Sequence, residues 1–395
     1  MKPKWHIETK LVHAGERSTF PPGSPTVHPI SMSNTYVAPL STMDAILGGA
    51  PGYTYGRHHN PTVDLLAEAV CQLEEGEVAF AYSSGMAAVH AALMALQLRA
   101  GDRILLSRDL YGASLNLVEQ LFAPMGIEAI EEDLTDLNRV EEGLRRHRPR
   151  LVLLELISNP LLRLIDGKAI TEIAHRQGAQ VIIDNTFTTP LMAKPLTYGA
   201  DFVVHSATKY LGGHGDAIGG IIVSHEHHQA RLHSQQKLLG TILGPFEAWL
   251  LHRGLKTLAL RFPRQCQNAA RLATLLHESG RFRRVHYPGL AHHPEYHLAP
   301  KLFADGLLGA VVTLELPEDK RAVFKFLESL NLVVPATTVG DVYTLALYPL
   351  IASHRSQTEE ARKAMGITEG TVRIAVGIES VDDIADDILS AAASL

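Results

Sequence analysis

The chain has 395 residues, of which 46% are hydrophobic and 20% are charged, a globular composition that excludes disorder as the main state. The formal net charge of −6 gives the molecule as a whole no attraction to nucleic acid or anionic lipid. Two cysteines are too few for a disulfide framework or a four-cysteine metal site. The length corresponds to two or three domains, or to one large core.

The beginning of the chain shows no targeting signal. Residues 1–8 lack the apolar core of a secretory signal peptide. The longest uncharged stretch, from Tyr82 to Leu98, contains serine, histidine and glutamine and is too polar to span a membrane. We therefore expect a soluble cytoplasmic protein without membrane or nucleic-acid partners.

Short apolar segments alternate with helical segments over the first two thirds of the chain. Residues 1–61 come first, and they lack a sustained hydrophobic period, which predicts an irregular arm. The predicted elements then follow as helix Val63–Leu73, strand Val78–Tyr82, helix Met86–Leu98, strand Ile104–Leu106, helix Ser114–Phe122, and strands Leu151–Leu156, Val181–Ile183, Phe202–Val204 and Ile221–Val223. Strands that are apolar on both sides predict a parallel sheet covered by helices on both faces.

The pattern changes after about residue 250. A long helical region runs from Phe246 to Leu276, and later strands at Ala310–Leu316 and Val372–Val376 flank a helix at Lys320–Leu330. This part of the chain predicts a smaller α+β domain. We therefore expect an α/β protein with an arm at residues 1–61, a large domain at 62–250 and a C-terminal domain at 251–395.

Polar residues follow four of the predicted strands. Gly85 and its neighbours open a helix after the first strand, Asn159 and Asp184 follow two central strands, and Lys209 follows the strand at Phe202–Val204. Ligands of parallel α/β sheets bind beyond the carboxyl ends of the strands. The four strand ends therefore predict one site that contains a phosphate-binding helix start, a polar anchor, an anion and an amine.

Pyridoxal phosphate requires each of these groups. It needs a lysine amine, a carboxylate that keeps the pyridine nitrogen protonated, and N–H groups and hydroxyls that bind its phosphate. The helix start at Gly85 offers free N–H groups, and glycine lets a phosphate approach the backbone. We predict this cofactor, with Lys209 and Asp184 on opposite sides of its ring.

The segment Ser206–Asp216 resembles the lysine signature of the Cys/Met-metabolism family of pyridoxal phosphate enzymes. Six further segments resemble family motifs and occur in the family's order, namely Tyr55–Thr62, Ser84–Ala88, Asp109–Gly112, Ser158–Pro160, Asp184–Thr186 and Arg373–Glu379. The resemblance covers nearly the whole chain. It implies fold type I, the aspartate-aminotransferase-like α/β fold, with a large domain containing a parallel or mixed sheet and a smaller C-terminal α+β domain.

The resemblance also implies residue roles. Lys209 would form the Schiff base and move protons, Tyr111 would stack on the ring and act as acid or base, and Asp184 would pair with the pyridinium. The expected cofactor-binding residues are Tyr55, Arg57, Gly85, Met86, Tyr111, Asn159, Asp184, Ser206, Thr208 and Lys209. The expected substrate-binding residues are Asn159, Thr338 and Arg373.

Two of these residues imply an assembly. In the family, the counterparts of Tyr55 and Arg57 bind the phosphate of the neighbouring subunit, so the N-terminal arm would cross a dimer interface. The family is usually a dimer of dimers. We therefore expect a homotetramer with shared active sites.

The implied reaction is γ-elimination on a sulfur-containing amino acid such as methionine or cystathionine, which gives 2-oxobutanoate, ammonia and a thiol. The alternative is γ-replacement on an O-acylhomoserine, because both reactions begin with loss of the γ-substituent. Thr338 stands where the family often has serine, and Ala113 where methionine γ-lyases carry cysteine, so the sequence leaves both reactions open.

Two other interpretations remain for comparison. A cofactor-free relative could use the fold as a binding module, but the joint presence of Lys209, Asp184, Arg57 and Arg373 favours an enzyme. The histidine-rich run at 225–228 lacks the His-Glu-x-x-His spacing of a zinc site, so we expect a solvated loop there and no metal.

Overall fold

The structure, a computed structural model, describes residues 5–15, 22–317, 319–355, 357–393 and 395. Its strands form a seven-stranded and a five-stranded sheet. The larger sheet contains β1 (Val78–Tyr82), β2 (Arg103–Ser107), β3 (Glu128–Glu132), β4 (Leu151–Glu155), β5 (Gln180–Asp184), β6 (Phe202–Ser206) and β7 (Gly220–Ser224). The smaller sheet contains β8 (Arg284–His286), β9 (Val311–Glu315), β10 (Val334–Pro335), β11 (Leu345–Leu347) and β12 (Thr371–Ala375).

Helices connect and cover the strands. Up to β7 they are α1 (Ile7–His13), α2 (Leu40–Leu47), α3 (Pro61–Glu74), α4 (Gly85–Ala95), α5 (Gly112–Leu117), α6 (Leu137–His147), α7 (Gly167–Arg176) and α8 (Thr189–Met192). After β7 they are α9 (Gln229–Leu239), α10 (Pro245–Leu255), α11 (Leu258–Glu278), α12 (Ala299–Leu302), α13 (Lys320–Glu328), α14 (Glu359–Met365) and α15 (Val381–Ala393). Among the helices of the described ranges, none has the length and apolar character needed to cross a membrane.

The larger sheet is mixed, with the strand order β1-β7-β6-β5-β4-β2-β3. Strands β2 to β6 are parallel to one another, whereas β7 is antiparallel to both of its neighbours, β1 and β6. The carboxyl ends of β1, β4, β5 and β6 therefore lie at the same edge of the sheet. All six strands predicted for this region are present, and the mixed α/β sheet of the expected fold is confirmed.

Both faces of the larger sheet are buried, which explains its uninterrupted apolar strands. In β4, Leu151 and Leu153 pack on one side with α4, α5 and α9, while Val152 and Leu154 pack on the other with α3, α6, α7 and α10. Successive residues of a strand point to opposite faces, so a strand covered on both sides must be apolar throughout.

The region predicted as an irregular arm contains two short helices, α1 and α2. Helix α2 has no buried residue, and its Leu40 and Leu47 are exposed. The arm ends at Asn60, whose side-chain oxygen accepts hydrogen bonds from the N–H groups of Thr62 (2.9 Å) and Val63 (3.4 Å) and so starts helix α3. The chain thus changes from exposed arm to buried helix at one capping residue.

The C-terminal part differs from the sequence prediction in its details. The predicted continuous helix from Phe246 to Leu276 is two helices, α10 and α11, which are separated at Lys256 and Thr257. The smaller sheet packs against α11, α13 and α15 through Leu272, Phe326 and Ile388. Strands β8, β10 and β11 are only two or three residues long and were not predicted, because such short segments carry no measurable period.

The histidine-rich run is solvated only in part, because Glu226 and His227 are exposed but His228 is not. Residues Glu226–His228 form a 3₁₀ turn, and His228 is buried with its ring centroid 4.3 Å from that of Phe202. Burial lowers the pKa of His228 to about 4, so the ring is neutral and packs as part of the core. Within the described ranges, no group of three or more histidine, cysteine, aspartate or glutamate side chains is arranged to hold a metal ion.

Helix α11 binds the turn that follows β6. Arg261 is 5% exposed, and its Nη2 donates to the carbonyl oxygens of Tyr210 (3.1 Å) and Gly254 (2.9 Å). Gly213 in the same turn has φ of +74°, and a Cβ there would lie 1.9 Å from Nη1 of Arg261. The turn can therefore reach the guanidinium only because this residue is glycine.

The same helix binds the loop at residues 337–341. Gln265 Nε2 donates to the carbonyl oxygens of Asp341 (2.8 Å) and Val376 (3.2 Å). Gly340 has φ of +89°, and a Cβ there would lie 2.5 Å from the backbone nitrogen of Tyr210. Helix α11 thus brings a loop of the C-terminal part against the turn that follows β6.

We expect Arg261→Met to lower the thermal midpoint by roughly 1–4 °C, because loss of the guanidinium leaves buried carbonyl oxygens without donors, at about 1–3 kcal/mol. Differential scanning fluorimetry would measure the shift. Arg264→Met is the matched control, because Arg264 lies on the same helix but is exposed. Equal destabilisation by both substitutions would contradict the role given to Arg261.

Candidate active site

A cavity of about 420 Å³ opens at the carboxyl ends of β1, β4, β5 and β6. Ten of the twelve residues predicted as site residues line it, namely Gly85, Met86, Tyr111, Asn159, Asp184, Ser206, Thr208, Lys209, Thr338 and Arg373. Its volume is in the range typical of small-molecule sites. Residues from both sheets therefore meet at one cavity.

Tyr55 and Arg57 are the two predicted residues that the fold does not bring to this cavity. Tyr55 is exposed, and Nη1 of Arg57 donates a hydrogen bond to the carbonyl oxygen of Lys237 at the surface. Within one chain these two side chains therefore do not complete the site.

Lys209 lies in the cavity with its amine held by a hydroxyl group. Its Nζ donates to Thr338 Oγ1 at 2.8 Å. Burial lowers the pKa of Lys209, and the charge of Arg373 lowers it further, whereas Asp341 raises it. A lowered pKa increases the fraction of neutral amine, which is the form that attacks a carbonyl carbon.

Asp184 ends β5 and accepts two hydrogen bonds through Oδ1, from the backbone N–H of Thr186 (3.0 Å) and from the Thr186 hydroxyl. Burial raises the pKa of Asp184, while the bonds from Thr186 and the nearby His205 lower it. Behind it, His205 Nε2 (2.6 Å) and Asn185 Nδ2 (2.8 Å) both donate to Oε1 of the buried Glu74. This polar network supports Asp184 from the side opposite the cavity.

Backbone groups surround the space at the start of α4. Ser84 caps the helix by accepting a hydrogen bond from the N–H of Ala87 (3.1 Å), and the amides of Gly85 and Met86 lie in the first turn, where helices offer free N–H groups. A Cβ on Gly85 would lie 2.7 Å from Cβ of Ser206. The cradle is therefore formed by backbone and small hydroxyl side chains, as anion binding at a helix start requires.

Arg373 is held as a planar donor at the side of the cavity. Its Nη1 donates to Asn159 Oδ1 (3.1 Å) and its Nη2 to the Thr338 carbonyl oxygen (2.9 Å), while its buried Nε has no partner among the described residues. Burial lowers the pKa of Arg373 to about 10, which leaves it charged at neutral pH. A fixed guanidinium with donor capacity to spare is suited to binding a carboxylate.

Sequence analysis did not identify Glu155, which also lines the cavity. It ends β4 as Asp184 ends β5, and its Oε1 accepts a hydrogen bond from the backbone N–H of Tyr111 at 3.2 Å. A carboxylate directly after four apolar residues is the sequence signal for a side chain at the strand end. The predicted strand Leu151–Leu156 includes Glu155 and therefore hides that signal.

The chemistry of this donor set fits pyridoxal phosphate. An amine, a carboxylate that accepts two hydrogen bonds and an anion cradle lie around a single cavity, at Lys209, Asp184 and the start of α4. The buried Nε of Arg373 leaves a donor for the carboxylate of an amino acid. These are the groups that this cofactor and an amino-acid substrate need.

Comparisons with known proteins agree with this site. The family model for Cys/Met metabolism PLP-dependent enzymes matches residues 8–393. The L-methionine gamma-lyase of Fusobacterium nucleatum subsp. nucleatum is 40% identical over 340 residues, which are 85% of each chain. The cystathionine gamma-lyase of Bacillus subtilis (strain 168) is 37% identical over 96% of this chain and 97% of its own.

Solved structures agree as well. The cystathionine gamma synthase of Xanthomonas oryzae pv. oryzae, solved in complex with cystathionine, has a TM-score of 0.92 and 35% identity, over 99% of this chain and 98% of that one. The cystathionine gamma-lyase of Lactobacillus plantarum, complexed with L-serine, has a TM-score of 0.90 and 33% identity over 99% of both chains. With its lysine, carboxylate and anion cradle around one cavity, the chain belongs to the Cys/Met metabolism family of PLP-dependent enzymes.

Proposed function

We propose that the protein catalyses γ-elimination on a sulfur-containing amino acid with an uncharged side chain, such as methionine. Methionine and water would give 2-oxobutanoate, ammonia and methanethiol. The observation that carries the proposal is the shared use of Thr338, whose hydroxyl accepts from Lys209 and whose carbonyl oxygen accepts from Arg373. A substrate whose carboxylate is bound by Arg373 has its Cα beside the Lys209 amine.

The residues divide the work as follows. When bound, pyridoxal phosphate withdraws electrons from the substrate's Cα, which makes its proton removable. Asp184 holds the proton on the ring nitrogen, and Lys209, with its lowered pKa, accepts the Cα proton. Tyr111 borders the same cavity and is placed to give a proton to the departing sulfur.

The wall of the cavity supports an uncharged substrate side chain. Ile157, Phe187, Ile218 and Val339 line it. Among the described lining residues, the charged side chains are Glu155, Asp184, Lys209 and Arg373. The last three are already assigned to the ring nitrogen, the Cα proton and the substrate carboxylate, in that order. For the carboxylate of a second amino-acid head group, as in cystathionine, the described lining residues of this chain offer no cation besides Lys209 and Arg373.

The second candidate is γ-replacement on an O-acylhomoserine. It is favoured by the similarity to the Xanthomonas synthase, whose structure holds cystathionine. The two reactions differ in whether water or a thiol enters after the γ-substituent has left.

We also propose that the arm at residues 1–61 completes the site of a neighbouring subunit in a dimer of dimers. The position of Tyr55 and Arg57 outside their own cavity supports this assignment, as do the exposed Leu40 and Leu47 of α2. We further propose the division at about residue 250 as the boundary between a cofactor domain and a C-terminal domain. The two buried free cysteines fit a reducing cytoplasm.

We expect Lys209→Ala to abolish the covalent link to the cofactor and the reaction with it. Borohydride reduction followed by mass spectrometry of the peptides would detect the link at Lys209 in the native protein. Lys168→Ala, at an exposed lysine on α7, is the control and should remain labelled. Covalent labelling of the Lys209→Ala variant by the cofactor would contradict the assignment of Lys209 as the Schiff-base lysine.

A substrate panel tests the reaction itself. We expect 2-oxobutanoate from methionine and homocysteine at a higher kcat/KM than from cystathionine, because the apolar lining residues named above favour an uncharged substrate side chain. O-acylhomoserine with and without a thiol would be assayed in parallel, with keto-acid and thioether products followed separately. Thioether formation as the main reaction would select γ-replacement instead.

Mixing two inactive variants tests the shared site. If Arg57 serves the neighbour's cavity, Arg57→Ala and Lys209→Ala subunits that pair randomly should regain about a quarter of native activity, because about half of the dimers have one complete site. The measurement is keto-acid formation after co-expression. Activity no higher than that of either variant alone would show that Arg57 acts within its own chain or not at all.

A further inference from the structure

Glu155 and Asp184 stand side by side at the floor of the cavity. They are partners in the parallel pairing of β4 with β5, so their side chains project to the same face of the sheet. Both line the cavity. The site therefore has two carboxyl groups where the binding of a ring nitrogen needs one.

The hydrogen bonds distinguish the two carboxyl groups. Asp184 accepts from both the N–H and the hydroxyl of Thr186, whereas Glu155 accepts only from the N–H of Tyr111. Oε2 of Glu155 is buried and has no hydrogen-bond partner among the residues that the structure describes. An unpartnered buried carboxylate oxygen is unfavourable, and protonation removes its charge.

The surrounding charges act in the same direction. Burial raises the pKa of Glu155 well above its usual range, and the nearby Asp184 and Asp109 raise it further, whereas the hydrogen bond from the Tyr111 backbone lowers it. Burial raises the pKa of Asp184 as well, but the hydrogen bonds from Thr186 and the nearby His205 lower it. These directions favour Glu155 as the carboxyl group that carries a proton and Asp184 as the one that keeps the negative charge.

We propose that Glu155 is a positioning residue of the cofactor site, a neutral carboxylic acid that fixes the backbone of Tyr111 and leaves Asp184 as the single anion of the cavity floor. This inference rests on the cofactor of the family and not on the choice of substrate. It concerns the cofactor-binding step, so it can fail or stand independently of the proposed reaction.

The position of Tyr111 explains why its backbone needs this contact. Its side chain is 39% exposed and cannot be held by packing alone. Tyr111 precedes α5, and a Cβ on the next residue, Gly112, would lie 2.7 Å from the carbonyl oxygen of Ser353. The segment is thus held between the Glu155 carboxyl on one side and the backbone of Ser353 on the other.

The first experiment compares Glu155→Gln with Glu155→Leu. Glutamine reproduces a neutral carboxylic acid, because it offers one acceptor and one donor, whereas leucine offers neither. We expect the glutamine variant to bind pyridoxal phosphate within about threefold of the native affinity, and the leucine variant to bind it about tenfold or more weakly, as loss of a buried hydrogen bond predicts. Titration of the cofactor-free full chain, followed by absorbance, gives the dissociation constants.

Glu131→Gln and Glu131→Leu form the matched control pair. Glu131 lies on β3 of the same sheet, and its pKa is raised too, but it is exposed and does not line the cavity. We expect both control variants to bind the cofactor with native affinity. Weak binding by Glu155→Gln would show that the site needs a charged Glu155, and native binding by Glu155→Leu would show that the contact to Tyr111 does not matter. Either result overturns the proposal.

The second experiment measures thermal stability of the cofactor-free protein against pH. A carboxyl group whose pKa is raised by folding stabilises the folded state below its unfolded pKa, and this contribution is lost as pH rises toward the folded pKa. Glu155→Gln should therefore be more stable than the native protein at pH 7–8, and the advantage should disappear near pH 4. Equal thermal midpoints of Glu155→Gln and the native protein at all pH values would show that Glu155 is not the protonated carboxyl group. This comparison does not depend on cofactor binding.

Discussion

The buried guanidinium of Arg261 is the contact on which the geometry of the cavity depends. A buried charge is costly unless it is hydrogen-bonded, and here Nη2 of Arg261 donates to the backbone carbonyl oxygens of Tyr210 and Leu211 in the turn after Lys209. Gln265, one turn further along α11, binds the loop that carries Thr338. One helix therefore sets the positions of both partners in the hydrogen bond from Lys209 to Thr338. The lysine owes its orientation to a helix that follows it by about fifty residues in the chain.

Much of the larger sheet could be predicted because its inner strands are buried on both faces. β4, β5 and β6 each contain three or four consecutive apolar residues. β3 was not predicted because it is an edge strand, and its sequence Glu-Ala-Ile-Glu-Glu has only two apolar residues and neither alternates nor forms a long apolar run. The break between α10 and α11 was also missed, since two helices packed on one core continue the same helical period across Lys256 and Thr257.

The candidate site shows the same division between local and global information. Lys209, Asp184 and Asn159 could be found from the sequence, because each follows an apolar strand and strand ends carry ligands in this class of sheet. Glu155 could not be assigned a role in that way. Its significance depends on lying next to Asp184, and strand order is a property of the folded sheet that a single sequence does not contain. The role proposed for the arm came from the family resemblance and not from the hydrophobic pattern, because a contact between subunits leaves no period in the sequence of one chain.

The reversed direction of β7 has a consequence for the dimensions of the cavity. Because β7 runs opposite to β1 and β6, its first residue, Gly220, lies between the ends of these two strands. A Cβ on Gly220 would lie 2.1 Å from the carbonyl oxygen of Ser84, so only a residue without a side chain fits at this position. Strands β1 and β6, which flank β7, lie two inter-strand spacings apart, about 9–10 Å. The hydrogen-bonded sheet thus sets this separation, and insertions in the surrounding loops leave it unaltered.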